Sequence, residues 1–373
     1  MDTFFVHHYA DNGCAYYRQV LPMKWMIRRN ELPVQFKYLN SPRPGANYRA
    51  FFTARHQDAR LTPAFLKIKQ KLKALFCIDT DDYLWDVDRM CNPVLDGGNW
   101  TRDNAKLLLA SVTLHFDLAD LITVTTPALA AVMSRWKNIR ICPNLIDLEH
   151  FIPQPYNADS KVILYSGGAT HRQDLELVRD LYYATCRDWS WVFYGCRPLF
   201  NSTRAVILPW GPVREYPRFC QLVKPRVVLS PLEPSSFDDC KSPIKVWEGA
   251  TYGGSVLASN TGPYKGNPGA IVPEGEDFTL DHFMSVIEKP NYAECLAIAK
   301  DNAWQNSTGA GYKAWVDFYK EVIDLANEIS RCRDGKIHQR IQVETWKTST
   351  GYSLNTRVPD IYPTRRMPRE TIS

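Results

Sequence analysis

Residues 227–259 read VVLSPLEPSSFDDCKSPIKVWEGATYGGSVLAS. Two short apolar runs, Val227–Leu229 and Ser255–Ala258, flank a polar loop and an amphipathic stretch, Ile244–Thr251. A strand, a crossover helix and a second strand in that order form a βαβ unit, which joins parallel strands of one sheet. Pro243 suits the first turn of the helix and Ser242 its N-cap. Lys241 then stands at the helix mouth, where its ammonium can meet a bound phosphate. Glu248 follows one turn in, where a carboxylate can accept two hydrogen bonds from a vicinal diol such as a ribose. The competing reading is a capped surface helix in which Lys245 and Glu248 form an i,i+3 pair.

The same alternation extends in both directions. Upstream, strands are expected at Thr3–His7, Val34–Tyr38, Leu75–Ile78, Leu121–Val124 and Ile139–Cys142. Helices are expected between them at Cys14–Arg29, Pro63–Lys73, Arg102–Ala119 and Pro127–Trp136. Phe151–Ser160, FIPQPYNADS, has no apolar period and reads as a linker. Strands then resume at Val162–Ser166, Trp191–Tyr194, Ala205–Leu208 and Ala270–Val272, in addition to the two above. Further helices fall at Gln173–Tyr183, Tyr216–Val223, Asp281–Ile287, Tyr292–Trp304 and Gly311–Ile329. The expected fold class is α/β, with two doubly wound domains facing a central cleft. The expected divisions are 1–153, an acceptor-binding domain; 154–305, a donor-binding domain; 306–332, a helix crossing back to the first domain; and 333–373, an extended basic tail.

Composition excludes several classes. Of 373 residues, 45% are hydrophobic and 23% charged, as in ordinary globular chains rather than disordered or collagenous ones. No apolar run reaches the roughly 18 residues of a membrane span. The opening MDTFFVHHYADNG lacks the basic and apolar regions of a signal peptide. The ten cysteines include no CxxC pair, so reduced thiols and a cytoplasmic setting, in a bacterial or phage-infected cell, are expected. The net charge of +5 is uneven, because residues 333–373 carry eight Lys/Arg against four Asp/Glu. The body is nearly neutral, and a polyanion-binding surface is expected only in the tail.

In open α/β sheets, ligands bind outside the carboxyl ends of the strands, so those loops carry the chemistry. After Val162–Ser166 come Gly167 and Gly168, then His171 and Arg172, where a close backbone and a helix N-terminus can receive an anion. An ordinary strand–helix turn is the alternative. After Leu75–Ile78, the run Asp79-Thr80-Asp81-Asp82 can supply a base or accept from substrate hydroxyls. Turn capping is its plain reading, and with no histidine nearby a metal is not expected. After the first strand, Gly13 marks a close approach, while Tyr16, Tyr17 and Arg18 offer stacking and anion contacts. His115, between Leu114 and Phe116, reads as a satisfied structural histidine.

Six segments in order resemble the retaining family 4 group of GT-B glycosyltransferases, over residues 1 to about 330. GCAYYRQVLPMKWM (13–26) is similar to the N-terminal G-x-x-Y-Y-R-x-x-x-P of one branch. IDTDDYLW (78–85) resembles its D-x-D-D-x-L-W, and LADLITVTTPALAAVM (118–133) its A-D-x-x-x-V-S-T-x-x-L. IRICPNLIDLEHF (139–151) resembles V-x-x-I-P-N-x-I-D-x-x-x-F, and LYSGGATHRQDL (164–175) resembles Y-x-G-x-x-x-H-x-x-D-L. The sixth is 227–259 itself. The resemblance implies two Rossmann-like domains and a nucleotide-sugar donor, UDP-linked first among the choices, with no metal required. It implies Glu248 on the ribose diol, Lys241, Ser242, Gly167 and Gly168 around the diphosphate, His171 and Arg172 as the nearest candidates for the family's basic pair there, and Lys245 also at the donor. The backbone around Phe237, Asp238, Asp239 and Cys240 would meet the sugar hydroxyls, and Asp81, Asp82 and His171 would be catalytic. Gly13, Tyr16, Tyr17 and Arg18 would hold the acceptor. The family's Glu-x7-Glu pair has Cys240 in its first position here, and Asp238 stands where an Asn is usual.

Two acceptor classes follow. Virus-encoded members of this fold modify hydroxymethylated pyrimidines in DNA, and the tail arginines Arg357, Arg365, Arg366 and Arg369 suit phosphate contacts. The alternative is a lipid-linked or surface glycan, for which Lys24, Arg28 and Arg29 beside Trp25, and the stretch Lys67–Lys73, are the candidate membrane-facing bases. A non-catalytic sugar-nucleotide-binding protein is the reading outside enzymes.

Overall fold

The computed structural model describes residues 2–7, 13–30, 34–39, 49–54, 62–70, 74–86, 102–168 and 171–333. The basic tail expected at 333–373 lies outside them apart from Arg333. Twelve described strands form two six-stranded sheets in which every pairing is parallel. The first contains β1 (Asp2–His7), β2 (Val34–Leu39), β3 (Ala50–Ala54), β4 (Leu75–Thr80), β5 (Leu121–Val124) and β6 (Ile139–Ile141), in the order β2-β1-β3-β4-β5-β6. The second contains β7 (Val162–Ser166), β8 (Ser190–Tyr194), β9 (Val206–Leu208), β10 (Val227–Ser230), β11 (Ser255–Ser259) and β12 (Ala270–Val272), in the order β12-β11-β10-β7-β8-β9. Parallel strands are covered on both faces, so central ones read as apolar runs. All six residues of β4 and all five of β11 are buried.

Each order reverses at one place, between β1 and β3 in the first sheet and between β7 and β10 in the second. Crevices for ligands open at such switch points. The loops after β7 and β10, which carry Gly167–Gly168 and Phe237–Lys241, therefore flank one of them.

The helices that matter for the site are α1 (Leu21–Arg29), entered through a π-helical turn at Tyr16–Val20, then α2 (Thr62–Gln70), α3 (Arg102–Leu118), α4 (Pro127–Val132), α5 (Arg179–Thr185), α6 (Tyr216–Val223), α7 (Ile244–Thr251), α8 (Leu280–Glu288), α9 (Tyr292–Asp301) and α10 (Ala310–Arg333). α10 buries Trp315, Phe318, Tyr319, Val322, Ile323 and Ala326, the three-and-four spacing of one helix face. That face lies on the first sheet. Phe318 meets Phe52 of β3 at 5.7 Å, Trp315 Nε1 donates to the Pro143 carbonyl at 2.9 Å, and Arg140 pairs with Glu321.

Phe151–Lys161 contains no helix or strand, and it is pinned to the second sheet's layer. Asn157 donates from its backbone to Gly253 and from its side chain to Pro225 and Tyr252 carbonyls. Gly253 has φ +82°, and a Cβ there would stand 2.2 Å from the Pro155 carbonyl oxygen, so only glycine fits. Among the described residues, no helix is long and apolar enough to cross a membrane.

Three differences from the sequence expectations stand out. β3, AFFTA, is a strand that the apolar pattern did not single out. The helix expected over Gln173–Tyr183 is a 3-10 stretch at Asp174–Val178 followed by α5, so no α-helix N-terminus directly follows the glycine pair. The N-cap of α7 is Pro243, not Ser242, and it makes no side-chain capping bond. The Ser242 hydroxyl instead accepts from Asn144 Nδ2 at 2.9 Å. His115 is fully buried, within 2.8 Å of Thr62 Oγ1, as a structural histidine should be.

Candidate functional site

Glu248 sits in the middle of α7 and is 1% exposed. It is therefore not the surface partner of Lys245 that helical spacing alone allows. Oε2 accepts from the Tyr216 hydroxyl at 2.7 Å and from Lys245 Nζ at 2.8 Å. Lys245 also donates to the Tyr216 oxygen, which lies 2.8 Å from Ser166 Oγ at the end of β7. Oε1 accepts from the hydroxyl of Tyr17, from the other half of the chain, at 2.6 Å. Burial, and then the Glu248 charge, push both tyrosine hydroxyls well above their ordinary pKa, so both remain donors.

Lys241 stands three residues before α7. Its ammonium donates to Asp82 Oδ1 and lies 4.0 Å from the Phe237 ring centroid. Burial works against its charge, but Asp82, with Asp81 and Asp238 adding, more than offsets this and raises its pKa. Asp82 follows the carboxyl end of β4 in a turn tied by Thr80, whose hydroxyl donates to the Asp82 carbonyl. The two sheets are also linked by Ser236 Oγ to Asp86 at 2.6 Å and by Thr126 Oγ1 to the Cys240 carbonyl at 2.9 Å.

The loop from Ser235 to Cys240 is internally ordered. The Ser235 hydroxyl donates to Asp238 Oδ2 at 2.6 Å, and Phe237 and Asp238 are buried while Asp239 is exposed. Gly262, at φ +49°, lets the neighbouring turn approach Asp238 and Asp239. The Cys240 side chain does not face the second sheet's crevice. It joins the apolar cluster of the first sheet with Leu84, Val124 and Leu129. Burial, then Asp239 and Asp82, push its thiol up to about 11.

Gly167 is buried at the end of β7, and a Cβ there would strike the Tyr165 ring. Gly168 accepts from the His171 backbone, and the His171 Nδ1 lies 2.8 Å from Asp174 Oδ2. Arg172 lowers the neighbouring Cys196 thiol by a side-chain hydrogen bond, against the larger effect of burial. Two trios bring ligand-type atoms within 4.8 Å of one another: Cys14, Asp81 and Asp82, and His171, Asp174 and Asp238.

Of the residues read as acceptor-binding, Gly13 faces open space at the start of the helical turn Gly13–Ala15. The Tyr16 ring lies 5.3 Å from His150, and burial with Asp147 and Glu248 raises its hydroxyl. Tyr17 is taken up by Glu248. Arg18 is not available as an anion contact, because it is 1% exposed and committed. It donates to Asp79 through Nε at 3.1 Å and NH2 at 2.6 Å, to the Cys142 carbonyl, and to Asn144 Oδ1 at 3.2 Å. Its guanidinium also lies 4.8 Å from the Trp315 ring centroid. Burial opposes its charge, and Asp79 more than offsets this. Arg18 thus orients Asn144, which in turn reaches Ser242.

The sequence reading passed over Tyr216, Asn144 and Trp210. Trp210 is 46% exposed, lies 5.2 Å from the Tyr216 ring, and has Lys245 Nζ 5.9 Å from its centroid. Its place after β9, at the carboxyl end of a strand, was the available signal.

Two parallel six-stranded sheets, opposed across these contacts, define the GT-B fold. No known family's sequence pattern matches the chain, and no curated protein matches it. Among solved structures, the chain is similar to HepE of Anabaena in complex with UDP and glucose, with TM-score 0.53 and 11% identity over 90% of this chain and 99% of that one. It is equally similar to AviGT4, a glycosyltransferase involved in avilamycin A biosynthesis, with TM-score 0.53 and 12% identity over 88% of this chain and 99% of that one.

Proposed function

We propose that the chain is a glycosyltransferase that moves a sugar from a UDP-sugar to an acceptor hydroxyl, with retention of configuration. The observation that carries this reading is Glu248, a buried carboxylate beside the second sheet's switch point, bracketed by hydroxyl and ammonium donors. It accepts the ribose diol. Lys241, Lys245 and the main chain at Gly167–Gly168 take the diphosphate, and the positive end of α7 adds to their field. The exposed Trp210 ring lies beside Tyr216 and Lys245 and suits the base. The main chain of Phe237–Asp239 meets the sugar. Asp81, Asp82 and His171 are the groups in reach of the reacting centre, and Gly13 and Tyr16 line the acceptor side. The UDP and UDP-glucose complexes of HepE support the choice of donor.

The proposed acceptor is a hydroxymethylated pyrimidine in DNA, held in part by the basic tail. A lipid-facing surface on α1 is the less favoured reading. There Lys24 pairs with Asp147 at 2.7 Å, Arg28 pairs with Glu149, and Arg29 donates to the Trp304 and Gln305 carbonyls. Lys24 and Arg28 are thus ion-paired within the protein, and Arg29 is hydrogen-bonded to it.

The test is transfer from UDP-, GDP- and TDP-sugars to duplex DNA containing 5-hydroxymethylcytosine or 5-hydroxymethyluracil, read by nucleoside mass spectrometry. A hexose or pentose mass on the base is the expected result. Donor hydrolysis without added mass keeps the transferase and moves the acceptor to a glycan. No hydrolysis of any donor refutes the enzyme.

A further inference from the structure

Two of the side chains given to the donor above, Glu248 and Lys241, are held by groups from the opposite half of the chain. Glu248 Oε1 receives the Tyr17 hydroxyl at 2.6 Å, and the Lys241 ammonium donates to the Asp82 carboxylate. Each partner matches the donor group chemically. A phenolic hydroxyl donates to the carboxylate where a ribose hydroxyl would, and a carboxylate oxygen accepts from the ammonium where a phosphate oxygen would. We propose that Tyr17 and Asp82 stand in for the ribose and the diphosphate, so that the protein occupies its own donor site and donor capture breaks both contacts together. The proposal rests on the reading of Glu248 and Lys241 as donor-binding.

The remaining partners of Glu248 explain why Tyr17 is the one to leave. Lys245 lies one turn earlier on the same helix, and Tyr216 is tied to Ser166 of the same sheet. Both travel with Glu248 in any opening of the cleft. Tyr17 belongs to the other half, and it lies in the π-helical turn Tyr16–Val20. Such turns place a side chain out of helical register and recur at functional sites. Glu248 and Tyr17 are 1% and 8% exposed, so a diol cannot reach the carboxylate while the contact stands. A site that must first open binds with its intrinsic affinity reduced by the fraction open.

The experiment is calorimetric titration of the full chain with UDP, for wild type, Tyr17→Phe and Asp82→Asn, together with the melting temperature of each protein without nucleotide. In Tyr17→Phe the apparent Kd for UDP falls about tenfold, equivalent to about 1.4 kcal/mol, while the melting temperature drops because Glu248 Oε1 loses its donor. Asp82→Asn tightens UDP binding in the same direction, and it decides the matter if Tyr17→Phe does not fold. A lower melting temperature with unchanged or weaker UDP binding in the variants means that the contacts only hold the halves together, and overturns the proposal. If wild type binds UDP normally, that outcome leaves the donor reading intact. If neither wild type nor variant binds UDP, GDP or TDP, the donor reading falls and this proposal falls with it.

Discussion

Replacing Arg18 with methionine should be among the most damaging single changes in the first sheet's layer. The Arg18 and Asp79 side chains are 1% and 2% exposed, and the guanidinium supplies donors to Asp79, the Cys142 carbonyl and Asn144. Methionine fills much of the volume but leaves the Asp79 carboxylate with Thr123 Oγ1, at 2.6 Å, as its donor from β5. Removing one member of a buried ion pair costs about 3–5 kcal/mol, because an uncompensated charge stays behind. With a urea slope of about 3 kcal/mol per molar, the unfolding midpoint drops by roughly 1–1.7 M. The assay is urea unfolding followed by far-UV circular dichroism and tryptophan fluorescence, with coincidence of the two probes checked first. The double variant Arg18→Met/Asp79→Asn removes the stranded charge and should recover about half of the loss. A loss below about 1 kcal/mol in Arg18→Met, against the usual size of such changes, would refute the reasoning. So would a double variant no more stable than the single one.

Two further outcomes follow from the site. Glu248→Ala removes a carboxylate assigned two charge-assisted bonds to a ribose, so kcat/KM for transfer should fall about 10²- to 10⁴-fold, and an unchanged rate in the nucleoside assay would remove Glu248 from the donor site. Cys240 has a folded pKa of about 11, raised by burial. Because that value is raised, its contribution to stability is complete below the unfolded thiol pKa of about 8.5 and is lost as pH climbs toward 11. Alkylation with iodoacetamide at pH 8, mapped by peptide mass spectrometry, should therefore mark exposed Cys14 well before buried Cys240, and equal labelling would contradict the burial.

The strand–helix alternation was legible because parallel strands buried on both faces read as apolar runs, as in ILYS of β7 and SVLAS of β11. β3 was not legible. Its five residues lie between Arg49 and Arg55, and its burial depends on Phe65, Phe76 and Phe318, which are distant in sequence. The loops that carry Lys241, Asp82 and Gly167, and the helix α7 that carries Glu248, follow the carboxyl ends of parallel strands, so they could be singled out in advance as candidates. Their partners could not. Tyr17 is 231 residues from Glu248, and helical spacing offered Lys245 as a surface neighbour instead. The same limit misplaced Arg18. Its position after two tyrosines suggests an exposed anion contact, and only the packing of β4, β5 and α10 shows that its charge is needed inside.

Cys240 shows how one position changes the demands on its neighbours. An acid there would have to stand among Leu84, Val124 and Leu129, close to the charges of Asp82 and Asp239. Burying an unpaired carboxylate in such company is strongly unfavourable. A thiol is small and apolar enough to close the seam between the sheets, and its carbonyl still receives Thr126. The seam in turn holds Lys241, the next residue, against Asp82. Under the donor reading proposed above, what a side chain at this position would contribute to recognising a sugar falls to the turn just before it. That turn is rigid, since Ser235 is hydrogen-bonded to Asp238 twice, through its hydroxyl to the carboxylate and from the Asp238 backbone to that hydroxyl. On that reading, a turn fixed in this way would offer main-chain groups to a sugar without reordering them, and such pre-organisation lowers the cost of binding.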